Sequence, residues 1–325
     1  MTRFRADDRA DGSVVVSIDG AEVLTYVYRS PAEQIESPRP YFHPLRTLSG
    51  ETVTQHRPAD HVWHAGLAWS LPNAGAHNFW GGPTYVRDAG YVQLPNNGRV
   101  EHRGFTAFAA DDHGVELEEQ LQWISFDGAP VFTEKRRISV TGGADAWTLV
   151  FETVMRNVTG ESIGIGSPST EGRENAGYGG LFWRGPESMM GGDVLVSDGT
   201  AGAGAGAGAE AEAAAEAGAG IAPGGADPAE ALMGSRHEWM AYSAGAATVV
   251  MVDDKADPQH PTPWFVRTDE YAGLCPAPFF SEPVVVAAGE KARFRYSVVI
   301  ADGPSDRARA TALAASAIQN DKDRT

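Results

Sequence analysis

The stretch HRPADHVWHAGLAW, from His56 to Trp69, carries three of the chain's nine histidines, and His43 and His77 flank it. Imidazole is the side chain that titrates nearest neutral pH, so this window can serve proton transfer or metal ligation. Proton transfer at a sugar or keto-sugar carbon needs an imidazole opposed by a carboxylate. It also uses an aromatic ring on which the apolar face of a pyranose can lie. Metal-assisted chemistry needs three or more His or carboxylate ligands and an open position. His61 and His64 share a face if residues 60–66 make a helical turn, and point apart if the stretch is extended. Asp60 stands beside them and can orient an imidazole and fix its tautomer. With His43, which follows Tyr41-Phe42, they make a candidate ligand trio of His43, His61 and His64. The spacing is not HExxH, and no second HxxH or HxD pair recurs.

Partners for these histidines come from four further stretches. Arg46 and Asn78-Phe79-Trp80-Gly81-Gly82 lie in the same window. The segment 167–186 supplies Glu171, Arg173, Glu174 and Trp183-Arg184 amid glycines; PTPWFVR supplies Trp264 and Arg267; FFSEP supplies Glu282. The catalytic candidates are His61, His64 and His43, with Glu282 or Glu171 as the carboxylate. Arg46, Asn78, Trp80, Trp183, Arg184, Trp264 and Arg267 are the candidates for holding substrate. The competing reading makes the histidines hydrogen-bonded loop anchors and the glutamates solvated loop charge. No cofactor is expected under the first chemistry, and a divalent metal on the histidine trio under the second.

Strands must position these groups. SVVVSI at 13–18 and EVLTYVY at 22–28 read as a hairpin through Asp19-Gly20. VELEEQLQWISF at 115–126 places Val115, Leu117, Leu121 and Trp123 on one face, and WTLVFETVMRNVT at 146–158 does the same with Trp147, Leu149 and Phe151. Segments 134–142, 247–254 and 283–303 continue the series. A dozen or more alternating runs with short turns predict an all-β chain built as a large antiparallel sandwich or barrel. Pro58, Pro72, Pro83 and several glycines break the histidine window, so much of it should be loop on that scaffold. Helical spacing is sustained only near the end, from Ser305 to about residue 319, where the helix should pack outside a sheet. Residues 199–234, rich in Ala, Gly and Glu, lack large apolar side chains and read as a low-complexity surface insertion in a single domain spanning 1–325.

Composition narrows the partners. The chain has 325 residues, 42% hydrophobic, with 43 acidic against 26 basic side chains and a formal net charge of −17. That balance makes nucleic acid and anionic membranes poor partners and leaves a small molecule as the ligand to expect. A neutral or cationic one is the easiest to accept. The N-terminal residues have no apolar run, and no segment reaches the ~20 apolar residues of a membrane helix, so a soluble cytoplasmic protein is expected. Cys275 is the lone cysteine, excludes an intrachain disulfide and reads as a buried small hydrophobe. Nothing in the sequence sets an oligomeric state.

Three blocks, PYFHPLRTLSGETVT, DHVWHAGLAW and NFWGG, resemble in order a bacterial family labelled "PmoA family" or "methane oxygenase PmoA". GGLFWRGP, WMAYS and PTPWFVR add to the likeness, which covers most of the chain. The methane monooxygenase subunit of that name is a membrane copper protein, and this chain has neither a membrane helix nor a copper-handling composition. The resemblance therefore implies a soluble β protein found among sugar dehydrogenases and isomerases, with an architecture similar to the galactose-mutarotase supersandwich. It implies a carbohydrate-processing enzyme, an epimerase, lyase or hydrolase, with His61 or His64 as acid and Glu282 as base. Those two roles rest on likeness of role and rough position, without a matching motif. A metal-dependent enzyme and a non-catalytic sugar-binding protein are the alternatives.

Overall fold

A computed structural model of the full chain describes residues 3–198 and 228–322. Its strands follow the period-two segments closely: Ser13–Ile18, Ala21–Val27, Val115–Ile124, Pro130–Gly142, Ala146–Asn157 and Ala247–Asp253. Residues 283–303 divide into Val284–Val286 and Lys291–Asp302 at the Ala-Gly-Glu turn. Neighbouring strands run antiparallel. They form an eleven-stranded sheet, an eight-stranded sheet and a small two-stranded hairpin, Thr84–Val86 with Gly90–Val92. The fold is thus the all-β antiparallel sandwich that the alternation predicts.

Alternation decides which residues meet between the sheets. Val14, Val16, Leu24, Tyr26, Phe42, Trp69, Leu181, Trp183 and Trp264 come from the larger sheet. Leu117, Trp123, Ile138, Phe151, Met251, Phe294 and Val298 face them from the smaller. Each such side chain contributes about 1.5–3 kcal/mol when fully buried. A second apolar layer lies outside the eight-stranded sheet. There Ala310, Leu313, Ala314 and Ala317 of the helix Arg307–Lys322 cover Trp239, Ala241, Val250, Val252 and Val299. Its first turn is capped by Asp306, whose Oδ1 accepts from Arg309 N at 2.8 Å. Ser305, where the sequence suggested the helix to begin, instead accepts a hydrogen bond from Thr248.

Most of the low-complexity segment, 199–227, lies outside the described residues. Its last part does not read as surface insertion: Pro228–Leu232 is a short helix, with Ala229 and Leu232 in the main core. Cys275 is fully buried, and burial pushes its thiol up to about 12. No helix among the described residues is long and apolar enough to cross a membrane.

Candidate functional site

The site stands on the outer face of the eleven-stranded sheet. In Gly180–Arg184, Trp183 points into the core, so Phe182 and Arg184 point out. In Trp264–Arg267 the same rule buries Trp264 and turns Phe265 and Arg267 outward. Trp80, Phe182, Phe265, Tyr271, Cys275 and Phe280 make an apolar cluster there, and Trp63 and Tyr178 pack against it.

The histidine loop folds over this cluster. A His61–His64 turn is closed by His64 N donating to His61 O at 2.9 Å, and it stacks the two imidazoles at 4.6 Å with planes 12° apart. Two local features permit the approach. Gly66 adopts φ +59°, and a Cβ there would sit 2.2 Å from Phe42 O. A Cβ on Gly82, in the Phe-Trp-Gly-Gly turn, would meet the Trp63 ring at 2.8 Å. From beneath, buried Arg39 donates to Trp63 O at 2.9 Å and to Ser70 Oγ at 2.7 Å, tying the loop to the sheet.

One carboxylate organises the polar groups. Asp60 Oδ2 accepts from His61 Nδ1 at 2.8 Å and from Arg184 Nη2 at 2.9 Å. Arg184 Nη1 lies 3.2 Å from His64 Nδ1, and its guanidinium stacks 4.1 Å above the Tyr271 ring. Arginine only donates, so His64 Nδ1 is the acceptor and the ring is neutral with its proton on Nε2. Burial, then the charges of His61 and Arg184, holds His64 well below the usual imidazole range. His61 Nδ1 donates to the Asp60 carboxylate, which leaves its Nε2 without a protein partner among the described residues. Burial alone would raise the Asp60 carboxyl; the hydrogen bonds from His61 and Arg184 outweigh it and lower it. Only His61 and Asp60 are open to solvent, with side chains 39% and 45% exposed, whereas His64 is 2% exposed.

The remaining candidates fall elsewhere. His43 bonds Thr54 Oγ1 at 2.9 Å, stacks on His56, and is pushed down to about 4 by burial and then by His56 and Arg46. The trio His43, His61 and His64 is therefore divided, and among the described residues no group of three His, Cys, Asp or Glu is arranged to hold a metal. His77 packs beside Phe79. Asn78 is buried and staples the turn, accepting from Trp80 N and Gly81 N. Trp183 and Trp264 are buried, donating to Val53 O and His237 O. Trp80 is in the cluster but only 6% exposed, so Trp63 supplies the more open indole. Arg46 sits at the Arg46–Thr52 bridge, its carbonyl accepting from Trp147 Nε1. Glu282 is exposed and makes no hydrogen bond or ion pair among the described residues; Glu171 is half-buried in the 167–178 loop, its backbone N–H bonded to Pro168 O. Tyr271, Arg39 and Tyr178 were not singled out by sequence. Tyr271 lies in the bend before the strand Gly273–Pro276, where strand alternation gives no signal.

No curated protein matches the chain. Among solved structures, the galactosidase domain of the α-galactosidase–sucrose kinase AgaSK aligns at 10% identity and a TM-score of 0.38. The alignment covers 92% of this chain and 39% of that one, so the chain spans about two fifths of the protein it matches. A candidate aldose 1-epimerase of Escherichia coli K12 aligns at 9% identity and a TM-score of 0.37, covering 91% of this chain and 99% of the other. Scores this low carry no argument. The sequence family that matches spans residues 13–315, and its description is a family of unknown function rather than the PmoA label: the chain belongs to DUF6807.

Proposed function

We propose that this protein processes a carbohydrate on the outer face of its larger sheet, with His61 as the acid/base and Asp60 as the carboxylate that orients it. The observation that carries this reading is the Asp60–His61 pair itself. A solvent-facing imidazole has one nitrogen tied to a carboxylate at 2.8 Å and the other free, beside Trp63 and Tyr271. Nε2 can then take a proton from a sugar hydroxyl or an acidic C–H and return it to the product, which is the chemistry of an epimerase, lyase or hydrolase. His64 does not share that role, because its accepting nitrogen is engaged by Arg184. It holds Arg184 in place. A galactose-mutarotase-like arrangement, a cytoplasmic setting and independence from a cofactor belong to the same reading.

The test is a turnover screen of aldoses, keto-sugars and sugar acids by NMR, run on the wild type and on His61→Ala. Loss of turnover in a variant that melts like the wild type supports the assignment. Retained turnover overturns it. Unchanged sugar binding without turnover in either protein favours a binding protein.

A further inference from the structure

We propose that the site is built for a sugar acid, and that Arg267 and Arg173 form its carboxylate subsite. The inference rests on the carbohydrate reading above and names its substrate class. In a chain with 43 acidic and 26 basic side chains, most exposed arginines have a carboxylate to pair with. Of those without one, Arg29 and Arg156 lie elsewhere, Arg173 belongs to the 167–178 loop, and Arg87 and the half-buried Arg267 dock on that loop. Arg87 Nη2 donates to Thr170 O at 3.2 Å. Arg267 Nη2 makes a long bond of 3.4 Å to Asn175 O, and its guanidinium lies 5.4 Å from the Phe265 ring centre. Arg173 bonds the Tyr91 hydroxyl and lies 4.8 Å above that ring.

Tyr178 joins the last two. Its hydroxyl is 2.8 Å from that of Tyr91, and its ring lies 5.6 Å from Phe265 and 4.5 Å from Trp80. Arg173 thus reaches Tyr178 through Tyr91, and Arg267 reaches it through Phe265, while Tyr178 packs on Trp80 in the cluster beneath the histidine loop. Strand alternation puts Arg267 on the same face as Arg184, and both sit close enough to Tyr271 to oppose the effect of burial on its hydroxyl. Arg184 is already committed to Asp60. Arg173 and Arg267 each use one of their five N–H donors, so both retain edges suited to a two-pronged carboxylate bond.

The surroundings fix the ligand's charge. Glu171 and Glu174, with Asp269 and Glu270, lie in the adjoining turns, and none forms an ion pair with these arginines. A polyanion would meet a rim with more negative than positive charge. A single carboxylate held at contact distance instead gains charge-assisted, two-pronged hydrogen bonds from a guanidinium, which a diffuse negative rim does not supply. A local exception to the chain's overall preference for neutral or cationic ligands follows.

Calorimetric titration with D-glucuronate, D-galacturonate and D-gluconate, beside D-glucose and D-galactose, tests this on the wild type and on Arg173→Ala/Arg267→Ala. We expect an acid to bind at least tenfold more tightly than its neutral counterpart, and the double variant to bring its affinity down to the neutral sugar's. Equal binding of acids and neutral sugars overturns the inference and leaves the carbohydrate reading standing. Binding of none overturns both. A preference that survives in the folded double variant removes these two arginines from the role.

Discussion

Two Asp–His pairs of nearly equal length occupy opposite environments. Asp60 and His61 meet at 2.8 Å on the outer face, both open to solvent. Asp253 and His260 meet at 2.7 Å, with the aspartate side chain fully buried. Asp253 ends the strand Ala247–Asp253 and shares the core-facing side with Met251 and with Tyr296, its partner in register. It also accepts from Thr262 N at 2.8 Å and so pins the 254–263 loop. Asp257 in that loop is fully buried too and accepts from Arg295 N at 2.8 Å. The contrast shows that the pairing alone does not make a site. Asp60 has Arg184 as a compensating cation and leaves an imidazole nitrogen in solvent. Asp253 keeps one oxygen buried without a partner, and its histidine serves to fasten a loop.

The largest expected effect lies on the outer pair. His61→Ala should lower turnover by about 10²–10⁴-fold, the range of a lost general acid/base, with melting unchanged. Asp60→Asn should lower it less and cost about 1–3 kcal/mol of stability, because the buried Arg184 guanidinium loses its charged acceptor. If Asp60→Asn instead unfolds the protein while Asp253→Asn is silent, the comparison is inverted.

Next come the opposite pH responses of the two regions. Burial raises Asp257 to about 8 and Asp253 to about 6. A carboxyl raised on folding binds its proton more tightly in the native state, so its contribution to stability is full below the unfolded value near 4 and is lost as pH climbs through 6 to 8. The outer site runs the other way. Asp60 is lowered, and its contribution disappears as pH falls through its native value. His64 is lowered also, so the neutral ring is favoured on folding and stability falls once pH drops below about 6.5, its unfolded value. Melting temperature against pH should decline on both flanks. Asp257→Asn should flatten the alkaline side only, and His64→Gln the acid side only. A variant that changes both flanks equally would couple what we describe as separate.

The scaffold was readable because sheets bury one face, and Leu117, Leu121 and Trp123 announce that face at every second position. The same rule, applied strictly, would have corrected the site. Trp183 and Arg184 are adjacent in a strand, and Trp264 and Arg267 are three apart in another, so neither pair can serve one face together. His61 and Asp60 were legible from their own neighbourhood. Glu282 was not, because its assignment depended on how remote segments converge, which no local pattern encodes. Asn78 looked like a ligand amide and is a turn staple, since the Gly81-Gly82 backbone leaves N–H groups that need an acceptor. Residues 228–234 shared the composition of the preceding low-complexity run, and only packing reveals Ala229 and Leu232 as core.

The smallest expected effect is the sharpest check on the buried pair. Tyr296 is 1% exposed, and its hydroxyl makes no hydrogen bond among the described residues, as is also true of Thr262 Oγ1. A buried hydroxyl that gains no partner on folding adds a desolvation cost and no bond, so Tyr296→Phe should leave stability within about 1 kcal/mol, on the stabilising side. Loss of Asp253 removes an acceptor used by Thr262 N and His260, and Asp253→Ala should cost about 1–3 kcal/mol. Urea melts of the two variants compare them directly. If Tyr296→Phe costs as much as Asp253→Ala, the hydroxyl belongs to the hydrogen-bonded network that pins the 254–263 loop, and the buried pair is a satisfied cluster rather than a strained one.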